Sequence, residues 1–220
     1  MNQIKLEQST KGILFFGSAQ QGKESPCSDL DFYIVAESDE GWNYKKFICG
    51  VPVEAYFLPK NQWQKLIDES PHVLKSFATG TIVYDTNFSL QELVAYAKNK
   101  YEQGPDELSD LQKANWRITL TEICLDLEGQ LQSGVNNPIF SGWALMKALE
   151  GYCALTRVWA YKAEKLVEQC SALDSEIETL IKQYNDNPST LHAKKRVEHI
   201  LNKHGGPITE YTGPRVKFQE

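Results

Sequence analysis

The stretch Gly12-Ile13-Leu14-Phe15-Phe16-Gly17-Ser18, ten intervening residues, then Asp29-Leu30-Asp31-Phe32-Tyr33-Ile34-Val35-Ala36 decides the reading of this chain. The first part is a short apolar run bounded by glycines, the pattern of a buried strand. The last part is rich in aromatic and β-branched residues and reads as a second strand. Between them, Gly17 follows a strand and carries no Cβ, so the backbone there can approach an anion closely. Ser18 adds a hydroxyl and an amide N–H. A helix opening over residues 19–21 would aim further free amides at the same point.

Asp29 and Asp31 stand two apart at the start of the second strand, so both side chains point to one face while Leu30 points to a core. Two carboxylates so placed repel each other, and one tends to hold a proton unless a cation intervenes. Magnesium suits such a site, because it takes a few carboxylates and fills its other positions with water and phosphate oxygens. Glu54, flanked by apolar residues in Val51-Pro52-Val53-Glu54-Ala55-Tyr56-Phe57, is the candidate third carboxylate. A strand carrying Glu54 beside the strand carrying Asp31 would bring the three together. Two Mg²⁺ ions on that trio could bind a triphosphate, activate an acceptor hydroxyl and neutralise the leaving pyrophosphate. A lone Gly-Ser is a turn signal, and a lone D-x-D is commonly a solvated strand edge. In this order and spacing they predict a nucleotidyl-transfer site.

Further out, residues 46–49, Gly50 and residues 51–58 read as two strands joined by a tight turn, with Pro52 marking an edge or a strand start. Helices are predicted over 61–69 and 72–78, and a last strand over 80–84. The second half changes character. A helix over 90–103 stops at Gly104 and Pro105. A long helical pattern over 109–132 shows an apolar side of Leu111, Trp116, Ile118 and Leu125. Another long pattern covers 140–169, and shorter ones cover 174–184 and 190–204. Strands first and helices afterwards predict an α+β chain: a small mixed-sheet domain over residues 1–104, then an all-helical bundle domain over 105–220.

Acidic residues outnumber basic ones by 29 to 23, which disfavours a long nucleic acid as partner and favours a neutral or cationic acceptor. The five cysteines (Cys27, Cys49, Cys124, Cys153 and Cys170) are scattered with no C-x-x-C pair. That argues against a structural zinc or a disulfide framework and for reduced thiols in the cytoplasm. The first eleven residues lack the apolar stretch of a signal peptide, and no run has the length of a membrane span.

The stretch from Gly17-Ser18-Ala19-Gln20-Gln21-Gly22 to Ser28-Asp29-Leu30-Asp31 resembles the signature of the polymerase-beta-like nucleotidyltransferase superfamily, in its minimal nucleotidyltransferase branch. Val53-Glu54-Ala55 and Gly80-Thr81-Ile82-Val83-Tyr84-Asp85 fit the same branch, so the resemblance covers residues 11–85. The helical half is similar in architecture, without a shared motif, to antibiotic nucleotidyltransferases such as the kanamycin enzyme. The resemblance implies a compact α/β domain with a mixed sheet, Mg²⁺ held by Asp29, Asp31 and Glu54, and triphosphate contacts from Gly17 and Ser18. Many relatives carry a basic residue where this chain has Gln21; Lys23, close by, is the candidate to supply that charge. In the antibiotic enzymes a carboxylate on the helical domain serves as general base. Glu122, Glu128 and Glu150 are the candidates here, with Glu122 preferred.

His192 and His199, with Lys194, Lys195 and Arg196 between them, read as a solvated basic face. The aromatics of the second half, among them Trp116, Trp143, Trp159, Tyr152 and Tyr161, read as packing residues. Arg157, in an apolar-aromatic run, requires a carboxylate or phosphate partner, either Glu150 or a ligand. The expected function is transfer of a nucleoside monophosphate from ATP or another nucleoside triphosphate to a hydroxyl of a small molecule. A homodimer is expected only by analogy. The alternatives are adenylylation of a protein or an RNA, and a non-catalytic nucleotide-binding or antitoxin-like interaction module. The last is disfavoured, because a degenerate site has no reason to retain three costly carboxylates.

Overall fold

The computed structural model describes residues 10–22, 28–87, 89–210 and Gly213, with only the backbone at residues 163 and 164. The chain divides into two compact units, Met1–Gly104 and Pro105–Glu220.

The first unit contains β1 (Thr10–Phe16), β2 (Leu30–Ala36), β3 (Trp42–Ile48), β4 (Val51–Leu58), α1 (Lys60–Glu69), α2 (Pro71–Thr79), β5 (Thr81–Asp85) and α3 (Ser89–Gln103). The sheet order is β3-β4-β2-β1-β5. β2 and β4 run parallel and the other neighbours antiparallel, so the sheet is mixed. β3 is what makes β2 and β4 parallel: it turns the chain back once before β4 lies down beside β2. It starts at Trp42, four residues before the predicted start, where Trp42 stacks on Phe57 of β4 at 4.7 Å. The hairpin turn is Cys49-Gly50, both with positive φ (51° and 83°), the primed geometry whose twist matches two flanking strands. Pro52 marks a strand start and not an edge. It pairs with Phe47 in the hairpin, while the β2 ladder begins one residue later at Val53, so its missing N–H breaks no bond to β2.

Alternation sorts the sheet into two faces. Ile13, Phe32, Ile34, Val53, Ala55 and Phe57 form one buried cluster. On the other face Phe16 and Tyr33 meet the helices, with Tyr33 packed 4.5 Å from Trp63 of α1 and 5.5 Å from Phe77 of α2. Trp63 is 2% exposed, and its Nε1 donates to the Ile34 carbonyl at 2.9 Å, fixing α1 on β2. Burial pushes the Tyr33 phenol well above its ordinary range, so this residue stays neutral beneath the acidic end of β2.

The second unit contains α4 (Asp110–Gln132), α5 (Pro138–Leu155), α6 (Ala163–Leu173), α7 (Ser175–Asp186) and α8 (Thr190–Lys203). Ser109 opens α4 with a capping box shared with Gln112. The face of α4 that enters the core carries Leu120, Ile123 and Leu127, while Leu111 and Leu125 are exposed. Both sets recur at helical spacing, so periodicity alone could not choose between them. The expected helix over 140–169 is two helices. α5 ends in a Schellman-type turn: Arg157 takes φ +59°, its N–H reaches the Ala154 carbonyl, and the Val158 N–H reaches the Cys153 carbonyl at 2.8 Å. No glycine advertises this break. The expected basic face is also wrong at its centre. Arg196 is 2% exposed, and burial pushes its guanidinium down to about 10, whereas Arg157 is exposed and donates to the Pro105 carbonyl instead of to Glu150.

Asp174 ties α7 to α8. Its carboxylate caps α7 by accepting from the Glu176 N–H at 3.0 Å and also accepts from His199 Nε2 at 3.0 Å and Lys203 Nζ at 2.6 Å. Burial opposes its ionisation, but the hydrogen bonds from Lys203, His199 and the Glu176 amide outweigh that and hold the carboxyl well below the usual carboxylate range. An acid depressed by folding stabilises the folded state fully above the unfolded value of about 3.9 and loses that contribution as pH falls below it. Asp174→Asn is therefore expected to cost roughly 1.5–3 kcal/mol in urea melts near neutral pH. The gap to wild type should narrow in melts at about pH 3.5.

Among the described residues no helix is long and apolar enough to cross a membrane.

Candidate functional site

β2 and β4 bring the acidic residues together through their ladder. Asp31 pairs with Glu54 across the parallel strands, so the two side chains leave the sheet on the same face. Asp29, two residues earlier and just ahead of β2, points the same way. Ligand atoms of Asp29, Asp31 and Glu54 all lie within 4.8 Å of one another, and each residue is half-buried. The trio stands where β2 emerges from beneath α1 and α2, two residues before Tyr33 enters the aromatic core.

The loop after β1 is shaped to leave room for these carboxylates. Phe16 pairs with Asp31, and the chain then turns at Gly17 with φ +91°. A Cβ placed on Gly17 would lie 2.5 Å from Asp31 Oδ2, well inside contact distance. Glycine is required here twice over, for its left-handed backbone and for the space beside the carboxylate. The expected helix over 19–21 is absent. Residues 18–22 form two overlapping turns, with the Gln21 N–H on the Ser18 carbonyl and the Gly22 N–H on the Ala19 carbonyl. Ser18 Oγ donates to Ser28 Oγ at 3.2 Å, and Gln20 Nε2 donates to Thr81 Oγ1 at 2.9 Å, which pins the loop to β5 and to the approach of β2.

Two residues that the sequence reading passed over also belong to this cluster. Lys45 on β3 pairs with Glu54, and its Nζ donates to Glu54 Oε1 at 2.6 Å. Tyr56, two residues on from Glu54, donates its hydroxyl to Glu54 Oε2 at 2.8 Å. The hydrogen bond to Glu54 raises both Lys45 and Tyr56 above their ordinary values. Counting back three pairs from Ile48–Val51 at the Cys49-Gly50 turn reaches Lys45–Glu54, so the hairpin itself was the signal.

Of the other candidates, Glu122 is an exposed residue of α4 in the helical unit. Glu128 pairs with Lys194 at 3.0 Å and Glu150 with Lys147 at 2.9 Å. Lys23 and Cys27 lie outside the described residues. His199 serves Asp174; of the aromatics expected to pack, Trp116 and Tyr152 do so within the helical unit, beside Gly151 and His204 respectively, whereas Trp143 is exposed.

The donor set fits a hard divalent cation. It consists of carboxylate oxygens alone, without sulfur or imidazole, and the space beside Asp31 is kept open by the missing side chain of Gly17. Half-burial lets such an ion keep water and accept phosphate oxygens from outside.

No protein-family model and no curated protein matches the chain. Among solved structures it is similar to a nucleotidyltransferase-like protein from Exiguobacterium sibiricum 255-15, with a TM-score of 0.51 and 14% identity over 92% of this chain and 72% of that one. The mixed five-stranded sheet and the helical unit that follows it thus make up a nucleotidyltransferase-like fold.

Proposed function

We propose that the chain transfers a nucleoside monophosphate from a nucleoside triphosphate, ATP first among them, to a hydroxyl of a small-molecule acceptor. The observation that carries this reading is the pairing of Asp31 with Glu54, which with Asp29 makes one cluster of hard oxygen donors. Asp29, Asp31 and Glu54 would hold two Mg²⁺ ions, which when bound neutralise the triphosphate and its leaving pyrophosphate. Gly17 lets the turn after β1 approach the phosphates, and Ser18 offers them a hydroxyl and an amide. Lys23 adds positive charge to the same loop. The acceptor oxygen forms a bond to the α-phosphorus, the bond from that phosphorus to the bridging oxygen breaks, and pyrophosphate departs. The acceptor proton passes to a carboxylate acting as general base.

The test supplies triphosphates labelled at the α-phosphate, with Mg²⁺, to the protein and a panel of hydroxylated small molecules. Label on a small acceptor, matched by released pyrophosphate and abolished by a chelator, is the expected result. Label confined to protein or RNA would move the activity to the adenylylation class. Nucleotide binding with no pyrophosphate released for any acceptor would leave a binding module.

A further inference from the structure

We propose that Lys45 is an exchangeable latch on Glu54: it holds the carboxylate while the nucleotide is absent and passes to the triphosphate when the nucleotide binds. The inference rests on the metal and nucleotide reading above. Both oxygens of Glu54 are engaged, Oε1 by Lys45 at 2.6 Å and Oε2 by Tyr56 at 2.8 Å. A cation that enters the cluster must compete with the ammonium for Oε1. The Lys45 side chain is 56% exposed, so the pair is a weak, solvent-screened one and breaks cheaply.

Charge decides where the ammonium goes next. The three carboxylates and one lysine together carry a net negative charge. Two divalent ions make it net positive and repel the lysine from Glu54. The triphosphate then restores the balance and offers several anionic oxygens next to the vacated position. Lys45 projects from the edge strand β3 on four flexible methylenes, so the move needs rotamer changes and no backbone shift. This also supplies a basic group that the loop lacks at Gln21.

Lys45→Met keeps the stem and removes the charge. Calorimetry with Mn²⁺ alone should show binding tightened by about three- to tenfold, since an exposed ion pair no longer competes. Binding of a non-hydrolysable ATP analogue in Mg²⁺ should weaken by about tenfold, the size of one charge-assisted hydrogen bond. Lys45→Arg should restore the analogue affinity. Opposite shifts in the two titrations are the signature of exchange. Weakening of both would make Lys45 a structural support, and no change in either would make it a bystander; both results overturn the proposal. Asp31→Asn is the control for the underlying reading. If wild type and Asp31→Asn take up Mn²⁺ equally, or neither takes it up, the metal site fails and the latch with it.

Discussion

Gly17→Ala is expected to leave a folded protein whose proposed ion site has lost a ligand. The new methyl group meets Asp31 Oδ2 at 2.5 Å in the present geometry, and the residue must also hold φ near +91°. The backbone strain costs about 1–3 kcal/mol, which a unit with this much buried sheet can absorb. The steric conflict has a cheap escape, because the carboxylate end of Asp31 can swing aside while its strand stays in register with β1 and β4. That escape removes a ligand from the cluster. Circular dichroism should stay native and the thermal midpoint should fall modestly. Mg²⁺-dependent turnover should drop by about a hundredfold, the usual penalty for misplacing a reacting group by an ångström. Turnover near the wild-type rate would show that the space beside Asp31 has no part in the chemistry.

Asp31→Asn should separate stability from activity in the opposite sense. In the absence of ions its carboxylate lies within 4.8 Å of two others, and each such repulsion is on the order of 1 kcal/mol under solvent-like screening. Neutralising it should hold or raise the melting temperature of the ion-free protein. Saturating Mg²⁺ at about a hundred times its dissociation constant should stabilise wild type by about 2.7 kcal/mol and the variant far less. Turnover should fall by about a thousandfold, the upper range for loss of one preorganised electrostatic contact. Equal Mg²⁺ stabilisation of the two proteins would remove Asp31 from the ion site.

β1, β2 and β4 were legible because each is short, apolar and punctuated by glycine or a turn, whereas the first half of β3, Trp42-Asn43-Tyr44-Lys45, is largely polar and exposed and was missed; the gathering of Asp29, Asp31 and Glu54 followed from their parity along β2 and β4. What escaped has physical reasons. Arg157 ends α5 in a left-handed conformation normally given to glycine, so the break between α5 and α6 left no mark in composition. Leu111, Ile118 and Leu125 share a helical stripe as convincing as that of Leu120, Ile123 and Leu127; only the packing partners decide which turns inward. Arg196 sits among charged residues, and nothing local says that its helix rotates it into the core. Lys45 was hidden because cross-strand neighbours depend on where a strand begins, and a strand read from residue 46 leaves Lys45 off the ladder that pairs it with Glu54.

The ladder that aligns Asp31 with Glu54 has an evolutionary corollary. Their meeting is enforced by adjacent backbones, so the chain length between them is free to drift. Residues could be inserted into the bend after Ala36 or at the Cys49-Gly50 tip without moving either carboxylate. Cousins of this chain would then share the arrangement in space while their sequences fell out of alignment, and a census of such chains has to compare folded sheets.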